Sequence, residues 1–451
     1  MPILASRSSE TTALETERFS DDILHPQSTS QDLEASSVSS VDRSQKWNYS
    51  KDNIGKVAAC FWAFIVIGAN AVAYGALIPY IQRDYKLTYA LVSLIFLSPV
   101  VGHTVSALLN NWVHELWGQR GVALLSSGCH VVAYVILPLD GGAPALPIVG
   151  HRLLISRFGD AVGNAGWHVF IGNLASATQL LGFLNGFFGI GGVIVPLIAT
   201  YMIVTVKLRW NTFYYFMLGL AVLELVSTVT CFWQSTGSTY KASTMLEGSS
   251  EQNKGATLRE SLISRPSARV TWLCSLFLVG YAGIEVALGG WIVDFMIHVR
   301  HGSEFASGVT ATGFWLGITV GRFVLCFLTP RIGDSLASTI YLCLIIGLEF
   351  VFWLVPHFVV SAVTVGFQGF FLGPLFPAVV VVMSKLLPRR LHIWALGFAT
   401  AFGSGGATVL PFTVGAITQV KGVQVLPPII LAFLVAILLL WLGVPRVGKK
   451  A

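Results

Sequence analysis

Apolar stretches of about 20 residues recur along this chain from Lys56 onward, and short polar segments separate them. A helix of that length crosses the ~30 Å hydrocarbon core of a bilayer. Composition agrees, because only 11% of the residues are charged, whereas a soluble domain carries about 25%. The mean hydropathy is +0.71. A chain this apolar lacks the polar surface of a soluble enzyme, so the sequence predicts an all-α membrane protein.

Twelve membrane-spanning segments are predicted, six on each side of one long polar insertion. They are residues 57–80, 88–110, 120–138, 146–171, 180–204, 211–233, 270–293, 306–328, 336–355, 358–383, 393–417 and 425–444. The second and eighth segments each end in a short hydrophilic turn, at Gly118 and Gly333. Two similar halves in parallel arrangement are a known transporter plan.

The predicted domains follow from this pattern. They are a disordered cytosolic tail at 1–54, a six-helix half at 55–233, a cytosolic loop at 234–269, a second six-helix half at 270–445 and a cytosolic C-terminus at 446–451. The tail has too few apolar residues to form a core, and it lacks the pattern of a secretory signal. Lys and Arg are concentrated in loops on the side of the N-terminus, which places both termini in the cytosol. We expect a multi-pass protein of the plasma membrane rather than of the vacuole.

No motif indicates an enzyme, a cofactor or a metal site. The six cysteines lack metal-ligand spacing, and no nucleotide-binding or hydrolase motif occurs. The formal charge of +6 is not gathered into a basic stripe with aromatic residues, so no nucleic acid partner is expected. The expected partners of this chain are a small-molecule solute, the lipid bilayer and, if transport is coupled, protons. A monomer is expected.

The six-plus-six architecture resembles the major facilitator superfamily across residues 56–445. More specific strings resemble its fungal fucose-permease-like branch, of the bypass of stop codon protein 6 type. They are Tyr74–Tyr80, Gly186–Gly192, Gly283–Val293, Phe314–Gly317 with Gly321 and Arg322, and Gly369–Pro377. The resemblance implies a secondary transporter working by alternating access, of the proton-coupled sugar symporter type. An exporter of a secondary metabolite and a solute-sensing transceptor are the alternatives.

The chain also departs from these relatives. The superfamily's turn after helix 2 is reduced here to Glu115, Gly118 and Arg120. Where related chains often carry acids, this sequence has Ala71 after Asn70 in helix 1, and Asn164 in helix 4. The resemblance assigns Glu115, Arg120 and, near the end of helix 8, Arg322 to a cytosolic gate. An acid or the carbonyls of a helix C-terminus would pair with Arg322.

Ionisable residues inside membrane helices are costly and are therefore functional candidates. Glu285 is expected to face the central cavity and to load and release a proton, or else to lock helix 7 to a neighbour. Arg157 and Asp160 are three residues apart and share a helix face, either as a switching ion pair or as a static one.

Three amides and three indoles complete the candidate site. The amides can bind hydroxyl or carbonyl groups of a solute, or join helices to one another. The indoles can form apolar walls for a solute, or anchor helices at the membrane interface. These residues are Asn70, Asn164 and Asn185, and Trp167, Trp291 and Trp315.

The remaining acids and histidines of the apolar segments, including His130, Glu224, His168 and Glu349, have no motif around them and are interpreted as packing or interfacial residues. Glycines three or four residues apart indicate close helix packing. They include Gly186, Gly189 and Gly192 on helix 5, and Gly403 and Gly406 on helix 11, where Gly405 lies between the two.

Overall fold

The structure is a computed structural model, and it describes residues 46–48, 50–139, 146–174, 177–238, 262–264, 267–388 and 391–445. Most of the predicted tail, the middle of the predicted inter-half loop and the C-terminal residues 446–451 lie outside the described residues. The described residues are almost entirely helical, as the sequence predicts for an all-α membrane protein.

The first half contains helices α1 to α6. A single long helix, Ser98–Ile136, is divided at Gly118, and we name its two arms α2, which includes the preceding short helices from residue 89, and α3. The other helices are α1 (Lys51–Tyr85), α4 (Leu146–Gly172), α5 (Ala177–Thr200, continued by a π-helical turn at Tyr201–Thr205) and α6 (Phe213–Phe232).

The second half contains helices α7 to α12. Helix α10 is interrupted by a short turn and has two parts, Phe358–Leu372 and Leu375–Leu386. The others are α7 (Ser267–His298), α8 (Glu304–Ile332), α9 (Asp334–Leu354), α11 (His392–Lys421) and α12 (Leu426–Leu442). Each of the twelve predicted segments coincides with one of these helices or arms.

Ten stretches of the described residues are long and apolar enough to cross a membrane. The two predicted segments outside that set are α3, which is the shorter arm after Gly118, and α4, whose hydropathy is lowered by Arg152, Arg157 and Asp160. Helix α1 begins at Lys51, inside the predicted tail. The cause is an N-cap, because the Ser50 hydroxyl accepts a hydrogen bond from the backbone N–H of Asn53.

The two predicted glycine turns are present at equivalent places. Gly118 has a φ of 63° and Gly333 a φ of 98°, in the left-handed region that favours glycine. A Cβ at Gly118 would also lie 2.5 Å from the carbonyl oxygen of Thr236, so the turn packs closely against the segment after α6. We call the end of the bundle that holds these turns and the start of α1 the proximal face, and the opposite end the distal face.

Helix pairing repeats between the halves. Helix α1 packs on α5 and α6 as α7 packs on α11 and α12, and α2–α3 packs on α4 as α8 packs on α10. The halves meet through the pairs α1–α7, α2–α11 and α5–α8. Gly186, Gly189 and Gly192 of α5 face Phe323, Thr319 and Trp315 of α8. The predicted glycine stripe on α5 is therefore a seam between the halves.

Helices α7 and α11 approach so closely that one glycine is sterically required. A Cβ at Gly406 would lie 1.9 Å from the backbone carbonyl oxygen of Val279, whereas a Cβ at Gly405 has no atom of the described residues within 4 Å. We expect Gly406→Ala to push the helices apart and lower stability by about 1–3 kcal/mol. Gly405→Ala is the matched control and should be neutral or stabilising, since Ala favours helix. Thermal unfolding of the two purified variants measures the difference, and equal melting temperatures would contradict the packing.

Candidate functional site

Helices α1 and α7 cross at a glycine contact between the two halves. A Cβ at Gly75 would lie 2.1 Å from the carbonyl oxygen of Gly289. Trp315 of α8 lies beside this crossing, with its Cζ2 atom 2.7 Å from where a Cβ of Gly289 would be. The groups nearest to such a crossing change their surroundings when the halves move, so polar side chains close to it are functional candidates.

Asp160 on α4 is the centre of a buried polar cluster in the first half. Its Oδ2 atom accepts hydrogen bonds from Asn70 Nδ2 at 2.6 Å and from Arg157 Nη1 at 3.1 Å. Arg157 Nη2 also donates to the backbone carbonyl of Asn70 at 3.4 Å. All three residues are buried. The ion pair predicted between Arg157 and Asp160 is therefore present, and Asn70 links it to α1.

His130 on α3 and Glu224 on α6 extend this cluster. His130 Nε2 lies 3.1 Å from Asp160 Oδ1, and His130 Nδ1 lies 2.8 Å from Glu224 Oε2. Both His130 and Glu224 are 0% exposed, so water does not screen these contacts. The interpretation of His130 and Glu224 as isolated packing residues is wrong. The signal that could have identified them is the cost of an acid inside an apolar helix, which calls for a partner.

Two tyrosines enclose the cluster, which we call the α4 cluster. The guanidinium carbon of Arg157 lies 4.4 Å from the centroid of the Tyr74 ring, a cation–π contact. The ring of Tyr134 stacks on the imidazole of His130, with centroids 6.0 Å apart. Three buried atoms of this region have no hydrogen-bond partner among the described residues: Arg157 Nε, Glu224 Oε1 and the Tyr134 hydroxyl.

The second half holds a smaller ionic site between α7 and α8. Arg322 Nη2 donates to Glu285 Oε1 at 3.0 Å and lies 3.4 Å from the hydroxyl of Tyr281. The side chains of Glu285 and Arg322 are 12% and 17% exposed, compared with 6% and 7% for Asp160 and Arg157. The Glu285–Arg322 pair is therefore the more accessible of the two ionic sites.

Asn70 and Glu285 occupy equivalent positions in the two halves. Asn70 and Glu285 are separated by as many residues as the turn glycines Gly118 and Gly333. Asn70 precedes Gly75 and Glu285 precedes Gly289, so both lie slightly more than one helical turn toward the proximal face from the α1–α7 crossing. Asn70 is hydrogen-bonded to Asp160 of α4, and Glu285 is hydrogen-bonded to Arg322 of α8. The structure therefore flanks the crossing with one ionic site from each half.

The other two predicted amides are not part of these sites. Asn185 Nδ2 donates to the carbonyl of Leu181 on its own helix at 2.8 Å. Asn164 is half-buried, and its backbone carbonyl contacts Nδ1 of His168 at 2.8 Å. Of the three amides, the structure thus brings Asn70 alone into contact with the charged candidates.

The three predicted indoles have different environments. Trp167 is 0% exposed and packs against Phe232. Trp291 is also 0% exposed, and its Nε1 donates to the carbonyl of Pro411 at 2.9 Å. The expectation of apolar walls is not met by these two residues, because both are enclosed by other helices. Trp315 is the indole that lies at the crossing.

The predicted gate residues lie in two places. Arg120 follows the Gly118 turn, and its guanidinium carbon lies 5.0 Å from the centroid of the Trp233 ring, in the same half. Glu115 is exposed on the other side of that turn. Arg322 pairs with Glu285 rather than with a residue of the first half. The contacts of Arg120 with Trp233, and of Arg322 with Glu285 and Tyr281, thus each stay within one half.

Contacts between the halves join them at the distal face. Arg83 of α1 pairs with Glu304 of α8 at 2.8 Å, and the backbone N–H of Ala90 donates to Gln419 Oε1 of α11 at 3.4 Å. They border a pocket of about 430 Å³ that is lined by residues of both halves, including Tyr80, Tyr89 and His298. No predicted site residue lies among these distal residues.

Comparison with known proteins identifies the family. A family model described as Major Facilitator Superfamily matches residues 59–367. The chain is 28% identical over 426 residues to "Bypass of stop codon protein 6" of Saccharomyces cerevisiae, covering 87% of this chain and 83% of that protein.

Solved structures show the same fold. A D-xylose-proton symporter aligns with a TM-score of 0.70 at 13% identity, covering 88% of this chain and 99% of that chain. A bacterial homologue of the human lysosomal transporter Spinster, in an inward-facing and unoccupied conformation, aligns with a TM-score of 0.67 at 12% identity, covering 88% and 98%. The chain therefore belongs to the Major Facilitator Superfamily and is a multi-pass membrane protein of the secondary-transporter class.

Proposed function

We propose that this protein is a proton-coupled transporter that takes up a small neutral polar solute of the sugar type. The observation that carries the proposal is the pair of ionic sites, one in each half, that flank the α1–α7 crossing. Alternating access rocks the halves about such a centre. Charged groups held next to the crossing change their surroundings in each cycle, which is the requirement for coupling a proton to the solute.

The solute class follows from the charges and rings near the crossing. Glu285 and Arg322 neutralise each other, so a charged solute would have to displace one partner and leave the other unpaired at high cost. A neutral solute with hydroxyl groups avoids this penalty. Trp315 lies at the crossing and offers an aromatic face of the kind that packs on sugar rings.

We assign the proximal face to the cytosol and the structure to an inward-facing state. The orientation is supported by the excess of Lys and Arg in the loops on the N-terminal side. The state is supported by the contacts Arg83–Glu304 and Ala90–Gln419, which join the halves at the distal face. In this assignment the solute leaves toward the cytosol, and the distal contacts break when the transporter reopens outward.

The test is uptake of labelled sugars, including D-xylose and common hexoses, into proteoliposomes containing the full-length protein. We expect at least one sugar to accumulate above its external concentration when an inward proton gradient is imposed, and only to equilibrate after a protonophore collapses the gradient. Protein-free liposomes are the control. If no sugar moves under either condition, the proposal is wrong and export of a secondary metabolite becomes the better assignment.

A further inference from the structure

The imidazole of His130 lies between two carboxyl groups. One ring nitrogen is 2.8 Å from Glu224 Oε2 and the other is 3.1 Å from Asp160 Oδ1. All three residues are buried, and they belong to three different helices, α3, α6 and α4. Water cannot hydrogen-bond to either carboxyl group, so the contacts among the three side chains determine how many protons they hold together.

Two short nitrogen–oxygen contacts require two protons between these groups. A neutral imidazole carries one N–H, and its other nitrogen presents a lone pair. With both carboxyl groups ionised, that lone pair would face a carboxylate oxygen at about 3 Å, which is repulsive. The geometry is satisfied when the group holds one more proton, either as an imidazolium between two carboxylates or as a neutral imidazole beside one protonated carboxyl.

The charge count gives the same answer independently. Arg157 contributes one positive charge, and Asp160 and Glu224 contribute one negative charge each, so with a neutral His130 the cluster has a net charge of minus one. An uncompensated charge away from water is expensive. One extra proton makes the cluster neutral.

The other groups that face the cluster do not alter this count. They are uncharged polar or aromatic side chains from α1, α3 and α6, namely Asn70 and Tyr74, Ser127 and Tyr134, and Tyr214 and Thr228.

We propose that His130, Asp160 and Glu224 form the proton-binding site of this transporter, which holds one shared proton in the state described here. Its transport role rests on the proposed function, whereas its occupancy by a proton does not. Loading takes one proton from water into the cluster, and unloading returns one proton to water, with no other species consumed. Asn70 connects the site to the α1–α7 crossing through its 2.6 Å hydrogen bond to Asp160. Movement of α1 relative to α4 therefore removes a donor from Asp160 and alters the affinity of the site for its proton.

Occupancy can be tested without any solute. The full-length protein, labelled with ¹⁵N at the histidine rings, is placed in lipid nanodiscs at a pH of about 8, where free histidine with its pKa of about 6.5 is neutral. His130→Gln identifies the signal of His130. We expect an imidazolium signal, or a neutral signal together with the infrared band of a protonated carboxyl that Glu224→Gln or Asp160→Asn removes. The infrared comparison uses a Glu349→Gln background to eliminate Glu349, the other glutamate of the described residues that is 0% exposed. A neutral His130 without such a band would overturn the proposal.

Transport gives the second test, with matched controls in the same chain. His130→Gln and Glu224→Gln should lose gradient-driven accumulation of the sugar that the wild type accumulates, and should still exchange that sugar across the membrane. The controls are His168→Gln, whose ring contacts a backbone carbonyl, and Glu349→Gln, whose carboxyl contacts Gln368 at 2.7 Å. Both controls should accumulate the sugar as the wild type does.

The outcomes separate the two proposals. If the wild type accumulates sugar and His130→Gln does so equally well, the proton site is wrong and the proposed function stands. If the wild type moves no sugar, the proposed function fails, and the nanodisc measurement still decides whether the cluster holds a proton. Exchange by the variants shows that they are folded. If His130→Gln loses exchange, the Glu224→Gln variant and the spectra of the wild type test the proton site instead.

Discussion

Replacing Asp160 with Asn is expected to destabilise the protein by about 3–5 kcal/mol and to abolish proton-coupled accumulation. Asp160 accepts hydrogen bonds from Asn70 and Arg157 and contacts His130. Arg157 is buried, and its remaining polar contact among the described residues is the carbonyl of Asn70, while its Nε already lacks a partner there. An Asn at position 160 would leave this guanidinium with no nearby anion. The measurement is thermal or denaturant unfolding of the purified protein, combined with flux in proteoliposomes.

A double variant distinguishes lost charge balance from lost function. Adding Arg157→Gln to Asp160→Asn removes the unpaired cation, so we expect part of the lost stability to return. Accumulation should not return, because the carboxyl group that faces His130 is still missing. The two single changes should therefore be non-additive in stability, as expected for residues in one network. A stability for Asp160→Asn equal to that of the wild type would show that the pair contributes nothing to the fold.

Apolar segment length was enough to predict the fold of this chain. A helix that crosses the hydrocarbon core must satisfy its own backbone, so a run of about 20 apolar residues has few alternatives. The turns at Gly118 and Gly333 and the two-half organisation could also be predicted, because short polar segments and one long polar insertion separate the apolar runs. The start of α1 was missed because a single hydrogen bond, from the N–H of Asn53 to Ser50, extends the helix beyond its apolar part.

The candidate site was predictable only within single helices. Arg157 and Asp160 could be paired because residues three apart share a helix face. Nothing in the sequence relates His130 on α3 to Glu224 on α6, since that proximity depends on how α3 packs against α6. Glu285 and Arg322 are too far apart in the sequence to be paired by helix spacing. The sequence predicts Arg322 as a gate residue, and the structure pairs it with Glu285, the predicted coupling residue.

The indoles show the limit of arguments from residue type. Trp167 and Trp291 are as suitable for a solute wall as Trp315 by chemistry, yet both are enclosed by neighbouring helices. The helix face on which each side chain lies decides the difference. For Trp291 the partner is the carbonyl of Pro411, on a helix more than a hundred residues later in the chain. A single sequence contains no signal for such a contact.

Glu285→Gln is expected to abolish gradient-driven accumulation while sparing exchange, which is the second of the two largest effects. The Glu285–Arg322 pair is the more accessible ionic site and lies at the position equivalent to Asn70, next to the α1–α7 crossing. A solute that binds to this pair can shift α7 relative to α8, and thereby change the packing at the α1–α7 crossing. The amide of Gln is neutral and cannot form the ion pair, so solute binding no longer controls the crossing. The measurement is accumulation and counterflow of the same sugar by variant and wild type.

The Arg322 side chain provides the control that separates charge balance from coupling. Glu285→Gln alone leaves a largely buried guanidinium without its anion, which by itself lowers stability. Glu285→Gln combined with Arg322→Gln removes that penalty, so thermal stability should return toward that of the wild type. We expect accumulation to remain absent in the double variant and to be recovered in part by Glu285→Asp, which keeps a carboxylate on α7. If Glu285→Gln accumulates sugar as the wild type does, the pair has no coupling role. The α4 cluster would then have to bind the proton and respond to the solute by itself.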